Sequence, residues 1–379
     1  VRISYHISLL RLWISIVLTG FFYCISFTTF SQKKAEPSFR DEEDGKFDLS
    51  DWIIDANGFV PIPLLITEPA LGGFGGALGL AFLNPVPGSP PNITTVLAGY
   101  TANKTWFIGG IHTKNIPEKG IKYRYGTVYA NVNISLYREI PVVGEQEFKF
   151  NFKMLPVFFE GTKQLGDSKW RAGFNYTFLW NRVGYNGELP YFVPAKEINS
   201  HISMIGPVIQ YDSRDNVFTP NKGTKVDFSY TISQNWTGSD YNYSRLNIAN
   251  YSYWPVSKNW ILGLRAEYQQ VFNSPPFYLL PGINLRGVPA ARYQGLQTAL
   301  TELENRIDIS SRWSIMAFGG LAKAFNGFDD FGESDLAYNI GTGYRYLIAR
   351  KFGLRMGMDV AFGPDDWGYY IIFGSNWLR

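Results

Sequence analysis

The feature that most constrains the fold is a two-residue alternation that begins near Phe59 and recurs, in segments of ten or more residues, to the last residue of the chain. In GTKVDFSYTIS, Val226, Phe228, Tyr230 and Ile232 alternate with Lys225, Asp227, Ser229, Thr231 and Ser233. KFGLRMGMDVAFG opposes Phe352, Leu354, Met356, Met358, Val360 and Phe362 to Gly353, Arg355, Gly357, Asp359 and Ala361. EFKFNFKM sets Phe148, Phe150, Phe152 and Met154 against Lys149, Asn151 and Lys153, and NWILGLRAEYQ repeats the pattern. A period of two is the signature of a strand, because successive side chains leave the pleat on opposite faces. Each segment therefore presents one apolar and one polar face.

Alternation alone does not choose between a water-exposed sandwich and a membrane barrel. Length favours the barrel: typical globular strands have about five or six residues, whereas a tilted strand needs about ten to cross hydrocarbon. The polar faces carry charges and glycines, as a barrel lumen requires. Aromatic residues form 17% of the chain, and Trp106, Trp170, Trp180, Trp254, Trp260, Trp313 and Trp377 fall at strand ends, where interfacial girdles lie. The expectation is an all-β, transmembrane antiparallel barrel of about 16 strands, opening at Pro61–Thr67 and Phe74–Asn84 and closing at Gly368–Leu378. An even count puts both ends in the periplasm. Ser257-Lys258, Ser311-Arg312 and Ala349-Arg350-Lys351 then become periplasmic turns, and Gly187–Ser200 and Asn273–Ala299 extracellular loops.

Residues 1–32 read as a secretory signal, with Arg2 and Arg11 before an uncharged run; a retained membrane anchor is the alternative. Cys24, the only cysteine, falls in that run, so cleavage would leave no thiol chemistry. Residues 33–58, including DEEDGKFD, read as a short periplasmic linker, and residues 59–379 as the barrel. A net charge of +3, evenly spread, gives no footprint for nucleic acid. Histidine occurs only at positions 6, 112 and 201, and neither G-x-S-x-G nor a phosphate-cradling loop is present. No catalytic residue, metal or cofactor is therefore expected.

Four segments, in order, carry a resemblance: PIPLLITEPALGGFGGALGL (Pro61–Leu80), GPVIQYDSRDNVFTPNKGTKVDFSY (Gly206–Tyr230), PGINLRGVPAARYQG followed by ENRIDISSRWSIMAFGGLAKA (Pro281–Gly295 and Glu304–Ala324), and NIGTGYRY (Asn339–Tyr346). Together the set resembles the bacterial surface antigen family, barrels of the BamA, TamA and two-partner-secretion transporter type. The resemblance implies that the Arg-Gly loop folds into the lumen and that Arg286 meets acids projecting inward from the following strands. Glu304 is the first-choice partner, with Glu302, Arg306 and Asp308 on the same face, and Gly287 would allow a tight turn. Asp212, Arg214, Asp215 and Gly223 form the family's strand-and-turn motif, either a salt bridge pinning a periplasmic turn or a functional element.

The chain departs from the family at several places. Pro281-Gly282 stands for Gly-Gly, Val288 for an aromatic, and Gly319-Gly320 where a second acid is usual, so fewer contacts are expected around Arg286. The chain ends on Arg379, leaving Trp377 as the terminal aromatic. Between Gln32 and Pro61 there is no room for a polypeptide-transport-associated domain. The resemblance implies a role in inserting or translocating proteins or lipids at the outer membrane, through a weak seam between the first and last strands. Its partners would be outer-membrane lipid, client outer-membrane proteins, or a periplasmic or outer-membrane accessory subunit. A structural subunit and a narrow channel plugged by the loop are the alternatives, with an embedded enzyme as a third for which no nucleophile is nominated.

Overall fold

In a computed structural model of the protein, the described residues are 39–55, 59–86, 89–140, 144–185, 199–273 and 275–377. The expected signal, most of the link Gly187–Ser200 and Arg379 lie outside them. Among the described residues there are sixteen strands: β1 (Phe59–Ile66), β2 (Gly75–Val86), β3 (Ser89–Thr101), β4 (Trp106–Ile116), β5 (Ile121–Ile140), β6 (Gly144–Gln164), β7 (Trp170–Tyr185) and β8 (Asn199–Asp212). They continue as β9 (Gly223–Ser233), β10 (Tyr243–Ser257), β11 (Trp260–Phe272), β12 (Gln297–Asp308), β13 (Trp313–Phe325), β14 (Leu336–Ala349), β15 (Leu354–Phe362) and β16 (Trp367–Phe373). All belong to one sheet in which each strand bonds to the next in sequence order. Every pairing is antiparallel, and the alternation fixes the register because a one-residue slip would turn lysines to lipid.

The faces fall as expected over β9, β11, β12 and β15. Ile248, Trp254, Trp260, Leu303, Ile307 and Trp313 are exposed on the outer wall, while Arg265, Glu267, Glu302, Glu304, Arg355 and Asp359 are buried inside. In β6 the expectation inverts. Phe150 and Phe152 are buried in a cluster with Val183 and with Phe277 of the long loop 273–296, and Lys149 and Lys153 face outward. The reason is length: β5 has 20 residues and β6 has 21, about twice what the hydrocarbon needs. Their outer ends stand clear of lipid, so apolar side chains turn in to cover the loop.

β16 also ends before Leu378, the expected limit. Gly374 has φ of +76°, a conformation that glycine adopts without strain, and the chain turns inward there. Trp377 is consequently 2% exposed inside the barrel, packed on Tyr251, Tyr253 and Ile261, rather than in a girdle.

The segment Phe39–Asp55, within the expected linker, is clasped to the β12–β13 and β14–β15 turns. Its short helix α1 (Ser50–Asp55) follows an acidic hairpin in which Arg40 bridges Phe47. Arg312, fully buried in the β12–β13 turn, donates to both carboxylate oxygens of Asp44 at 2.6 and 2.8 Å. It also bonds Asp48 and lies 3.3 Å from Asp41. Arg350 bonds Asp41 at 2.7 Å, and the Leu49 amide donates to the Ile348 carbonyl at 2.6 Å. The Arg312 hydrogen bond holds Asp44 down at about 2, well below its ordinary 3.8.

Candidate functional site

Loop 273–296 descends into the lumen because its own side chains are apolar at the right places. Phe277 seats on β6, and Ile283, Leu285 and Val288 pack against Leu300, Ala322 and Ala337 of the inner wall. Burying apolar surface at about 25 cal/mol per Å² offsets the ordering of a long connection. Val288, where the family has an aromatic, is thus part of a packed contact. At the tip Gly287 has φ of +80° and lies against the backbone of Ala361 and Gly363; a side chain would be strained and obstructed there.

This tip delivers Arg286 into a cluster of carboxylates. Its Nε and Nη2 donate to Glu302 Oε1 at 3.2 and 2.9 Å, and its Nη1 donates to Asp359 Oδ2 at 2.6 Å. Nη1 also lies 3.0 Å from Glu304 Oε2, without hydrogen-bond alignment. The guanidinium carbon stands 3.4 Å from the centre of the Phe318 ring, a stacking contact that Arg favours. Glu302, rather than the first-choice Glu304, is therefore the main partner, and Asp359 supplies the acid that Gly319-Gly320 lack. Expected to rest on few contacts, the arginine instead has three carboxylates and a ring.

Further donors surround the same carboxylates. Glu302 accepts from Asn339 at 3.1 Å and from the Trp377 indole at 2.7 Å, with Arg265 at 3.5 Å. Arg265 also binds Glu267 through two bonds and donates to the loop carbonyl of Asn284 at 3.0 Å. Arg345 binds both oxygens of Asp359 at 2.5 and 2.9 Å. Charge-assisted bonds of this kind are the strong ones, and burial makes each of them necessary. The glycines of β14 provide the space: a Cβ at Gly343 would lie 2.0 Å from Asp359 Oδ1, and one at Gly341 2.2 Å from the Phe318 ring.

The other expected site residues fall elsewhere. Arg306 bonds Asp308 at 3.1 Å and reaches Asn221 of the β8–β9 turn, so it belongs to the end of the barrel that carries this turn and not to the Arg286 cluster. Asp212 and Arg214 form a paired contact at 2.9 and 2.8 Å within the β8–β9 turn. Asp215 accepts from the Asn221 and Lys222 amides, and Gly223 closes the turn at φ of +102°. All four residues thus shape one turn. The turn crosses one mouth of the barrel, where the Phe218 carbonyl accepts from the Ser375 amide at 2.6 Å and Asn216 donates to the Phe352 carbonyl at 2.9 Å.

Among the described residues no ladder joins β16 to β1, although the two strands approach each other. They are also the shortest strands, with seven and eight residues. Pro61 and Pro63 sit inside the continuous β1–β2 ladder, so their missing N–H groups fall on the opposite edge, the one facing β16. Three contacts cross or straddle the gap instead. Thr67 Oγ1 donates to the Tyr369 carbonyl; the Gly287 amide donates to Tyr370 Oη at 2.7 Å; the Ala290 amide donates to Glu68 Oε1 at 2.9 Å. The Arg286 loop thereby touches both sides of the seam.

Comparison with known proteins agrees with this architecture. Residues 122–277 match the Omp85 superfamily domain. No curated protein matches the chain. Among solved structures, BamA from Haemophilus ducreyi lacking POTRA domains 1-3 is similar at 12% identity and a TM-score of 0.57, over 83% of this chain and 69% of that one. CdiB from Escherichia coli is similar at 10% identity and a TM-score of 0.61, over 82% and 61%. CdiB from Acinetobacter baumannii is similar at 10% identity and a TM-score of 0.57, over 83% and 59%. The chain thus spans about three-fifths of the length of either CdiB.

Proposed function

We propose that this chain, residues 122–277 of which match the Omp85 superfamily domain, is an outer-membrane β-barrel that assists insertion or translocation of proteins or lipids by opening between β1 and β16. The observation that supports this reading is the seam without a ladder. The free edge of β16 keeps backbone groups that can recruit another strand through main-chain bonds, whereas Pro61 and Pro63 blunt the facing edge of β1. Each ladder bond contributes only about 0.5–1.5 kcal/mol net, so a gap spanned by one direct hydrogen bond and bridged otherwise through the loop opens far more readily than any other line around the sheet. The reaction needs no bond-making chemistry, and the role is non-enzymatic. Clients would be outer-membrane proteins or lipids, with an accessory subunit to present them.

The test is a covalent bridge. Thr67→Cys with Tyr369→Cys places two thiols across the seam. Oxidised protein in vesicles should lose the ability to assist insertion of an unfolded outer-membrane barrel, and reductant should restore it. Equal assistance by the bridged and reduced forms would sink the proposal. A second reading, a channel plugged by the loop, draws on the packing of Ile283, Leu285 and Val288 against the inner wall.

A further inference from the structure

The outer wall carries a row of residues just beyond the lipid-facing band. Register runs Trp106, Asn131, Lys153, Arg182 and Asn199 across β4 to β8. One step nearer the membrane centre the same faces carry Ile108 opposite Tyr129, and Leu155 opposite Trp180. An aromatic belt marks the level of lipid headgroups. Lys153 and Arg182 therefore stand at that level, both exposed.

Their pairing is unusual. Two like charges directly opposite on neighbouring strands repel and destabilise the pair, and here neither makes a hydrogen bond or ion pair with another described residue. Asn131, on the other side of Lys153, accepts from the Asn151 amide at 2.9 Å through its oxygen, which leaves its own amide group as a donor. Above the row, a cavity of about 360 Å³ has a mixed lining, polar at Asn103, Ser135, Glu147 and Lys149 and apolar at Ile134 and Phe150, of a size for a headgroup. Below it the wall is apolar and suits acyl chains.

We propose that Lys153 and Arg182 together bind the phosphate of a phosphorylated lipid in the outer leaflet. An anion between the two cations converts their repulsion into attraction, and the guanidinium can take two phosphate oxygens in its fixed fork. The acyl chains would lie over Leu155 and Trp180, and the polar remainder of the head would enter the cavity. Lipid recognition here is separate from the seam, on the wall several strands away.

Purified full-length protein in a neutral detergent, titrated with lipid A or with its dephosphorylated form, tests this by thermal unfolding and by native mass spectrometry. The expected result is retention of phosphorylated lipid and a rise in unfolding temperature, with at least a tenfold weaker response to the dephosphorylated form. Lys153→Gln with Arg182→Gln should abolish that response, while Lys163→Gln, on the same outer face near the periplasmic end, should leave it intact. Lys153→Gln alone should also raise the unfolding temperature of lipid-free protein, because it removes the repulsion. Equal retention by the double variant, or equal binding of both lipid forms, would overturn the proposal. An equal response to inorganic phosphate would replace the lipid with free anion and overturn it likewise.

Discussion

Arg286 shows how much one side chain can organise when its surroundings are dry. Three carboxylates within hydrogen-bond or ion-pair distance would repel one another if the guanidinium were removed, since buried charges must be compensated. Arg286→Ala should destabilise the barrel by about 3–5 kcal/mol, measured as a shift in urea-induced unfolding of protein in vesicles. Arg286→Lys should recover only part of this, because a point charge cannot serve Glu302 and Asp359 in fixed geometry; full recovery would argue that charge alone matters. The alternation in the sequence places Glu302, Glu304 and Asp359 on inward faces, so the candidates for partnership were legible. The choice among them was not, because a period of two assigns a face and says nothing of distance around the circumference. Asp359 lies on β15, three strands beyond β12, and reaches Arg286 across glycines whose role is visible only as empty space.

The elements differ in what the sequence discloses. Strands are legible because each repeats one local rule: about sixteen are expected, and sixteen are present among the described residues. The acidic segment Phe39–Asp55 was read as a linker because nothing local shows its partner: Arg312 lies 268 residues from Asp44. Its attachment has a definite dependence on pH. Asp44 is held at about 2 against an ordinary 3.8, and Asp41 is lowered chiefly by its bond to Arg350. A lowered carboxyl favours the docked state fully above pH about 4, and that contribution is lost as pH falls toward 2. Protection of residues 39–55 against hydrogen exchange, taken relative to the intrinsic rate at each pH, should therefore fall over this interval while the amides of β11 to β13 remain protected. An equal loss of protection in both regions would mean that the segment has no independent docking equilibrium.

For the molecule as a whole, the lumen is obstructed at both levels. Loop 273–296 fills the outer part, and the β8–β9 turn with Ser375 and Trp377 crosses the inner part. In planar bilayers the intact protein should pass little current, and removal of residues 281–295 should raise conductance severalfold; a large steady current before removal would contradict the obstruction. The fold could be expected from periodicity, whereas the inward turn of Trp377 could not, because tryptophan at a strand end suits a girdle equally well and only Gly374 redirects it. The loop that meets both sides of the seam gives this architecture a property of linkage. If loop position and seam closure share bonds at Gly287 and Ala290, each must bias the other by the same factor. A molecule that grips the loop from outside the cell would then alter affinity for a strand at the seam, and a strand seated there would alter affinity for that molecule, so the exterior and the membrane interior are in thermodynamic correspondence through one arginine-bearing tip.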